Sequence, residues 1–452
     1  MTVLDLAATL SAGVVIAFGL LYVLTLTLLG IRHTRNAGLP VAAQERLIDA
    51  SPDLEADLRG LHFFFLVPAL NEQDVIGSTI EDTLAKQPGA TLVVVDDGSQ
   101  DATAEIVRSH EATGRVHLVE RRLPDARQGK GRALNAGLAM IRSELVGELP
   151  RSSVVIVVMD ADGRMTPNAT VAASREFAAD PAIGGLQLAV RIRNRDSAAL
   201  EFQDMEFWAI SAIGQFGRVP FGSVSMGGNG QLTRLTALDE LGAEPWSDSL
   251  TEDLDLGLSL SARGWKTSTT PWAYVTQQGV PDLRRLLRQR TRWYQGHMMA
   301  MARFPELARS RHLPTGRFLE LSAYLALPWC LSLPWPVIQL YLVHTFLFGA
   351  GMPVAQVESL SARMAITVVW LGLSFAPNLF WGMVYYRRAR GQTLFRSLLL
   401  AHSLVLWSYV SYAAAYRALG RILVQRNSWT KTARVQEQHA VQAHAASGRT
   451  SG

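Results

Sequence analysis

The chain has 452 residues, 48% of them hydrophobic and 18% charged, with a formal net charge of +4. That length holds one sizeable domain of about 250 residues and something more, and the apolar residues gather towards the two ends, the pattern of a soluble middle between membrane segments. The small positive balance, clustered near membrane-adjacent stretches, points to membrane lipids and away from nucleic acid as partner, and the single cysteine, Cys330, excludes an intramolecular disulfide and is expected to pack within its apolar run.

Residues 6–30 are nearly continuous apolar sequence without a charge, about the length a helix needs to cross the hydrocarbon core. They predict a transmembrane helix within 1–31. A cleaved signal peptide fits less well, because the run is too long and lacks a clear small-residue cleavage site. Arg32 and Arg35 follow, and by the positive-inside rule they hold the next domain in the cytoplasm. Residues 32–60, with Pro40 and Pro52, read as a linker.

From there strand and helix patterns alternate. Strands are predicted over 62–67, 91–95, 115–119 and 154–159, and helices over 71–87, 101–110 and 130–143. This rhythm builds a mostly parallel α/β sheet of Rossmann-like type over 61–280, with helices on both faces. Ligands of such sheets bind beyond the carboxyl ends of the strands. Two valine-rich strands end there in acids, Asp96-Asp97-Gly98-Ser99 and Asp160-Ala161-Asp162-Gly163. The spacing of two in the second pair puts both carboxylates within reach of one hard cation, Mg²⁺ or Mn²⁺, which usually also binds substrate phosphates. Turn or cap aspartates are the plainer reading of either pair alone.

Gly129-Lys130-Gly131-Arg132 opens a helix but lacks the spacing and the Ser or Thr of a Walker A loop. Its lysine can meet a diphosphate at the helix start, or be a solvated surface lysine. Residues 183–190 predict another strand and 197–217 a helix carrying Phe202, Phe207, Trp208 and Phe216. Met226-Gly227-Gly228-Asn229-Gly230 is a turn that a ligand or another backbone can approach closely.

Thr251-Glu252-Asp253 has the form of a helix start, with the threonine as cap and the acids at the positive end of the dipole. Gln289, Arg292 and Trp293 are spaced to share one helical face. Leu283, Leu286, Leu287, Tyr294, Met298 and Met301 make a second, so 281–305 predicts an amphipathic helix at the membrane interface, with Arg284, Arg285 and Arg288 pointing away. Arg290 falls on the apolar side and calls for a partner. Hydrophobic segments at 318–347, 365–385 and 394–416 make up a membrane region over 318–420. Four spans would leave the carboxyl end outside, yet Arg417, Arg421, Arg426 and Lys431 argue for a cytoplasmic tail over 421–452, partly disordered. The segment 394–416 is therefore the candidate for an interfacial or re-entrant piece.

Taken in order, Pro68-Ala69-Leu70-Asn71-Glu72, Asp96-Asp97-Gly98-Ser99, Gly129-Lys130 with Ala133-Leu134-Asn135, Asp160-Ala161-Asp162, Thr251-Glu252-Asp253 and Gln289-Arg290-Thr291-Arg292-Trp293 resemble the motifs of family 2 glycosyltransferases. Within that family they resemble the membrane-embedded processive branch of cellulose, hyaluronan, chitin and poly-N-acetylglucosamine synthases. The resemblance covers about residues 63–293 and implies a GT-A fold. It implies a nucleotide-sugar site of Ala69, Glu72, Asp96, Asp97, Lys130, Asp160, Gln289 and Arg292, with Asp96 and Asp97 on the nucleoside and Gln289 and Arg292 on the diphosphate. It places Asp160 and Asp162 on Mg²⁺ or Mn²⁺, makes Asp253 the general base beside Glu252, and stacks Trp293 on the acceptor sugar.

The implied activity is that of an inverting hexosyltransferase moving a sugar, expected from a UDP-sugar, to a growing β-linked polysaccharide, coupled to translocation. The alternative is a single addition to a membrane lipid acceptor. With few spanning helices, a homo-oligomer or an accessory export partner could complete the walls of a channel, in a bacterial inner membrane with the catalytic domain cytoplasmic. A transporter or receptor would carry its ionisable residues within the spans, whereas the acids here lie in the middle.

Overall fold

The computed structural model describes residues 3–38, 60–340 and 359–426. Most of the expected linker, residues 341–347 of the first hydrophobic segment after it and the tail beyond 426 lie outside the described residues.

Branched and aromatic runs form the central strands, because such side chains pack well on a pleated surface. They are β1 (His62–Ala69), β2 (Thr91–Asp96), β3 (Val116–Glu120) and β4 (Val154–Val158). Phe65, Leu66, Val67, Val93, Val94, Val155 and Ile156 are fully buried, so neighbouring residues on both faces are covered, as parallel strands require. After the short β5 (Arg164–Met165), the run predicted as one strand over 183–190 divides into β6 (Ile183–Gln187) and β7 (Ala189–Ile192). With β8 (Gln231–Arg234), β9 (Lys266–Ser268) and β10 (Tyr274–Gln277) they complete two sheets.

The larger sheet runs β3-β2-β1-β4-β8-β6-β9 and the smaller β5-β10-β7. In the larger, β4 and β6 pair antiparallel with β8 and the other neighbours are parallel. The chain changes sheets at Leu188, which is why one apolar run yields two strands.

The helices that matter for the site begin with α1 (Val3–Asn36), α2 (Ile76–Lys86), α3 (Thr103–His110) and α4 (Lys130–Met140). The second starts later than its apolar pattern suggests, since Asn71 has φ +51° and its segment forms a turn. The helix expected over 197–217 is α5 (Ala198–Met205), a π-helical turn at Glu206–Ser211, and α6 (Ala212–Arg218). Then come α7 (Glu252–Ala262), α8 (Leu283–Ala300), α9 (Thr315–Leu327), α10 (Leu360–Arg388), α11 (Leu394–His402) and α12 (Leu404–Leu423).

Among the described residues three helical stretches are long and apolar enough to cross a membrane: Gly13–Asn36, Thr315–Leu340 and Leu394–Leu423. The last is divided at Ser403, where α11 meets α12. Cys330 does not pack as expected. It is exposed on the π-helical turn Pro328–Ser332, in a stretch that protein covers only in small part.

Several contacts join the apolar helices to the α/β domain, among them a backbone crossing and a cation held over an aromatic ring. A Cβ placed on Gly217 would stand 2.0 Å from the Leu26 carbonyl oxygen, and one on Gly30 2.1 Å from that of Ile213. Only glycine at both crossings lets α1 and α6 touch backbone to backbone. At the end of α10, the Arg388 guanidinium lies 4.3 Å from the Trp208 ring centre and its Nε donates to the Trp208 carbonyl at 2.8 Å. The stripe of α8 expected on the membrane is largely covered by protein. Leu286 and Met298 are buried, Met298 against Ala415 and Ala418 of α12, while Leu283 and the three arginines Arg284, Arg285 and Arg288 are exposed.

Candidate active site

The turns after β1, β2 and β4 and the start of α4 converge on one cavity of about 420 Å³. They bring to its wall Ala69, Glu72, Asp97, Lys130 and Asp160. Side chains stitch the turns together: the Asn71 amide donates to Ser99 Oγ at 2.8 Å, the Gln100 amide to Asn71 Oδ1 at 2.8 Å, and the Glu72 amide to Thr103 Oγ1 at 2.8 Å. Asp97 pairs with Arg121, but burial outweighs that attraction and pushes the Asp97 carboxyl up from its ordinary value. Asp96 is not on the cavity wall. It is buried, and both its oxygens accept from the Ser99 amide at 3.3 Å, so it holds the turn that presents its neighbour.

At the centre Lys130 Nζ lies 2.7 Å from Asp160 Oδ1 and 3.7 Å from Glu252 Oε1. Burial alone would lower the Lys130 ammonium, but these two carboxylates outweigh it and hold the group above its usual range. Asp253, in the first turn of α7, lines the same wall. Burial and the charge of Glu252 push its carboxyl up to about 7, against the pull of Lys130. The glycine-rich turn explains how backbone reaches this cluster. Gly228 sits at φ +75°, where a Cβ would stand 2.8 Å from Asp253 Oδ2 and 3.1 Å from Lys130 Nζ. Asn229 secures the turn by accepting from the Asp160 amide at 3.2 Å and donating to Gln277 Oε1 at 3.0 Å.

Thr251 stands at the start of α7 but does not cap it with its side chain. Its Oγ1 is buried without a hydrogen-bond partner and fills the space left by Gly296 of α8, where a Cβ would stand 2.5 Å away. The residue expected as a cap is thus the point at which α7 and α8 meet. That contact fixes Asp253 relative to Gln289, Arg292 and Trp293, all three of which line the cavity from the face their spacing predicts.

The two expected metal ligands part company. Asp160 reaches the cavity wall, whereas Asp162 is fully buried off it, with Oδ2 accepting from the Gln278 amide at 2.8 Å. Among the described residues no cluster of three or more His, Cys, Asp or Glu side chains could hold an ion. One carboxylate still fits a hard dication whose remaining ligands are diphosphate oxygens and water, the usual arrangement for Mg²⁺ with a phosphorylated substrate.

Residues of the wall that sequence patterns did not single out for it include Glu206, Phe207, Arg290, Ser225, His297 and Tyr324. Glu206 is the partner Arg290 called for, at 2.5 Å. The guanidinium lies 4.6 Å from the Trp293 ring centre, and Phe207 meets that ring edge-on at 6.1 Å. Glu206 and Phe207 face inward from the π-helical turn, whose extra residue shifts the face the helix presents. The one available signal for His297 was its place four residues after Trp293 and eight after Gln289.

Residues 61–296 match the family model described as glycosyltransferase like family 2. The chain belongs to that family. The central sheet and the ordered motifs are those of a family 2 glycosyltransferase with a GT-A domain, and the resemblance read from the sequence stands. This glycosyltransferase-family chain is 28% identical over 253 residues to the poly-β-1,6-N-acetyl-D-glucosamine synthase of Staphylococcus aureus, covering 55% of the chain and 57% of that protein. It is 30% identical over 244 residues to the β-monoglucosyldiacylglycerol synthase of Synechocystis sp., covering 51% and 47%. The chain thus spans about half the length of the curated relatives it matches. The solved mannosyltransferase PcManGT of Pyrobaculum calidifontis, in complex with GDP-Man and Mn²⁺, shares the fold with a TM-score of 0.52 at 20% identity, covering 92% of this chain and all of that one.

Proposed function

We propose that this chain transfers a sugar from a nucleotide sugar to an acceptor hydroxyl with inversion at the anomeric carbon, lengthening a β-linked glycan at a membrane. The observation that carries the reading is the placement of Asp253 in one cavity with Lys130 and Asp160 on its wall and Trp293 on the neighbouring helix. An alcohol is a poor nucleophile until its proton is removed in the transition state, a step worth about 10² to 10⁴ in rate. Asp253 takes that proton as the hydroxyl oxygen attacks from the face opposite the diphosphate. A carboxyl pushed up to about 7 is matched to this task, being basic enough to accept a proton and still ionised near neutrality.

Lys130, held in place by Asp160 and Glu252, supplies positive charge where the diphosphate leaves, and Gln289 and Arg292 bind its oxygens. Asp97, Ala69 and Glu72 hold the nucleoside end. Mg²⁺ or Mn²⁺ bound at Asp160 would further neutralise the leaving diphosphate. Trp293, steadied by Arg290 and Phe207, offers a ring face to the acceptor sugar.

The Staphylococcus aureus relative's name supports N-acetylglucosamine as the sugar and a polymer as the product, with a UDP-sugar as the donor we propose. A lipid acceptor is the second reading, favoured by the Synechocystis relative and by Tyr324, which brings an apolar, membrane-length stretch to the cavity wall. Arg32 and Arg35 after the first apolar helix support a cytoplasmic α/β domain, in a bacterial plasma membrane. With three candidate spans among the described residues, a channel for polymer export would draw further walls from a second copy or an accessory partner.

The deciding experiment incubates the purified chain in lipid nanodiscs with a panel of labelled nucleotide sugars, UDP-N-acetylglucosamine, UDP-glucose and GDP-mannose among them, and sizes the product. A long glycan supports the first reading. One sugar on a lipid supports the second, and no turnover of any nucleotide sugar overturns both.

A further inference from the structure

Trp293 and His297 lie one turn apart on α8, about 6 Å along its axis, and both line the cavity. Beside His297 the wall is made of neutral polar groups. Ser225 Oγ and Tyr324 OH are 3.0 Å apart, and Gln215 fixes that segment by accepting from the Ser225 amide at 3.0 Å and donating to its carbonyl at 3.1 Å. The His297 ring packs against Tyr324 at 4.5 Å between centres. Its Nε2 is 3.0 Å from the Tyr324 carbonyl, which can only accept, so Nε2 carries the proton and Nδ1 of the neutral ring is left as an acceptor. Burial holds this imidazole down at about 4, with Arg218 acting in the same direction.

The cation whose charge reaches this imidazole is already balanced by a carboxylate. Arg218 is buried, its Nε and Nη2 donate to Glu320 at 2.7 and 3.1 Å while Nη1 has no hydrogen-bond partner, and the Tyr324 ring lies 3.9 Å from its guanidinium carbon. Glu320 also accepts from Tyr22 of α1 at 2.9 Å. A phosphate or carboxylate placed against His297, Tyr324 and Ser225 would be desolvated beside an ion pair that is already neutral, with Glu320 opposing it, which carries a penalty. Hydroxyl groups would find matching donors and acceptors at no such penalty.

We infer that His297, Tyr324 and Ser225 form an acceptor subsite, one helical turn beyond Trp293, built for an uncharged sugar ring and closed to phosphorylated acceptors. The inference rests on the proposed transfer reaction and narrows its acceptor. The sugar comes either from the end of a glycan or from a glycolipid headgroup.

The full chain in nanodiscs, supplied with UDP-N-acetylglucosamine and UDP-glucose, is assayed with three acceptors: a β-linked N-acetylglucosamine trimer, monoglucosyldiacylglycerol, and the trimer phosphorylated on its terminal sugar. Wild type is expected to use one of the neutral acceptors and to discriminate against the phosphorylated trimer, and which neutral acceptor is preferred identifies the source. Ser225→Ala and His297→Leu should each raise the KM of that acceptor about three- to tenfold, more than the donor KM, as expected for a lost hydrogen bond. His297→Arg should improve use of the phosphorylated trimer relative to the neutral one. Acceptor KM values equal to wild type in both Ser225→Ala and His297→Leu, or a wild-type preference for the phosphorylated trimer, would overturn the inference while leaving the transfer reaction standing. Absence of any nucleotide-sugar turnover by wild type would instead remove the reaction itself.

Discussion

Gly228 leaves no room for a side chain beside Asp253: a Cβ would stand 2.8 Å from Oδ2. Its φ of +75° adds a second obstacle, since a left-handed conformation costs an alanine about 1–2 kcal/mol. Gly228→Ala is therefore expected to lower thermal stability by that amount and to displace Asp253, reducing turnover at least tenfold, on the order of 1.4 kcal/mol of transition-state stabilisation. Melting curves and kcat for the variant check both effects, and a variant with unchanged kcat would show that Asp253 tolerates movement.

Asp253→Asn keeps the size of the side chain and removes its ability to take a proton. Turnover should fall by about 10² to 10⁴, with nucleotide affinity by calorimetry changed only a few-fold. Substantial retained turnover would rule out Asp253 as the base.

The same residue sets a pH dependence. Its reactive form is the carboxylate, and its folded-state value is about 7. As pH falls through that value the carboxyl keeps its proton and cannot accept another, so kcat should drop about tenfold per pH unit on the acid side and level off above it. Lys130 lowers the Asp253 value electrostatically, so Lys130→Met should move the midpoint to higher pH, whatever it does to the plateau. A flat profile across the acid range would contradict the assignment.

Glu206→Gln tests the support of the acceptor platform. It removes the charge that holds Arg290 beside Trp293 in a partly buried pair, an interaction worth about 1 kcal/mol. The acceptor KM should rise about fivefold with a smaller change in kcat, which acceptor titrations at saturating donor would read.

Removal of divalent ions with a chelator should weaken nucleotide-sugar binding and abolish transfer, with recovery on adding Mn²⁺ or Mg²⁺. Because Asp160 reaches the cavity and Asp162 does not, Asp160→Asn should impair that recovery more than Asp162→Asn, provided both variants fold.

The α/β rhythm was legible because buried parallel strands read as short valine-rich runs between helical patterns, and the edge that carries the site followed from that order. The facing set on α8 was legible for the same reason, a spacing of three and four on one helix. What escaped depends on contacts distant in sequence. Arg290 finds Glu206 some eighty residues earlier, and no local pattern links a π-helical turn to a helix that packs on it. The spacing of Asp160 and Asp162 suggested a shared ion, yet spacing does not say which carboxylate a distant amide claims, here that of Gln278. Thr251 has the residue type of a cap, but the absence of a Cβ at Gly296 decided its use.

The paired glycines at the α1–α6 crossing have a consequence for depth. The uncharged apolar run of α1 ends at Gly30, with Arg32 and Arg35 next in sequence, the charges that mark the headgroup side of a span. The crossing therefore sits at the lipid boundary. Two backbones in contact at Gly30 and Gly217 cannot slide past each other, so a thinner or thicker bilayer is met by leaning the whole molecule. The reacting hydroxyl is delivered at a height measured from the lipid surface, as on a caliper whose fixed jaw is the first helix.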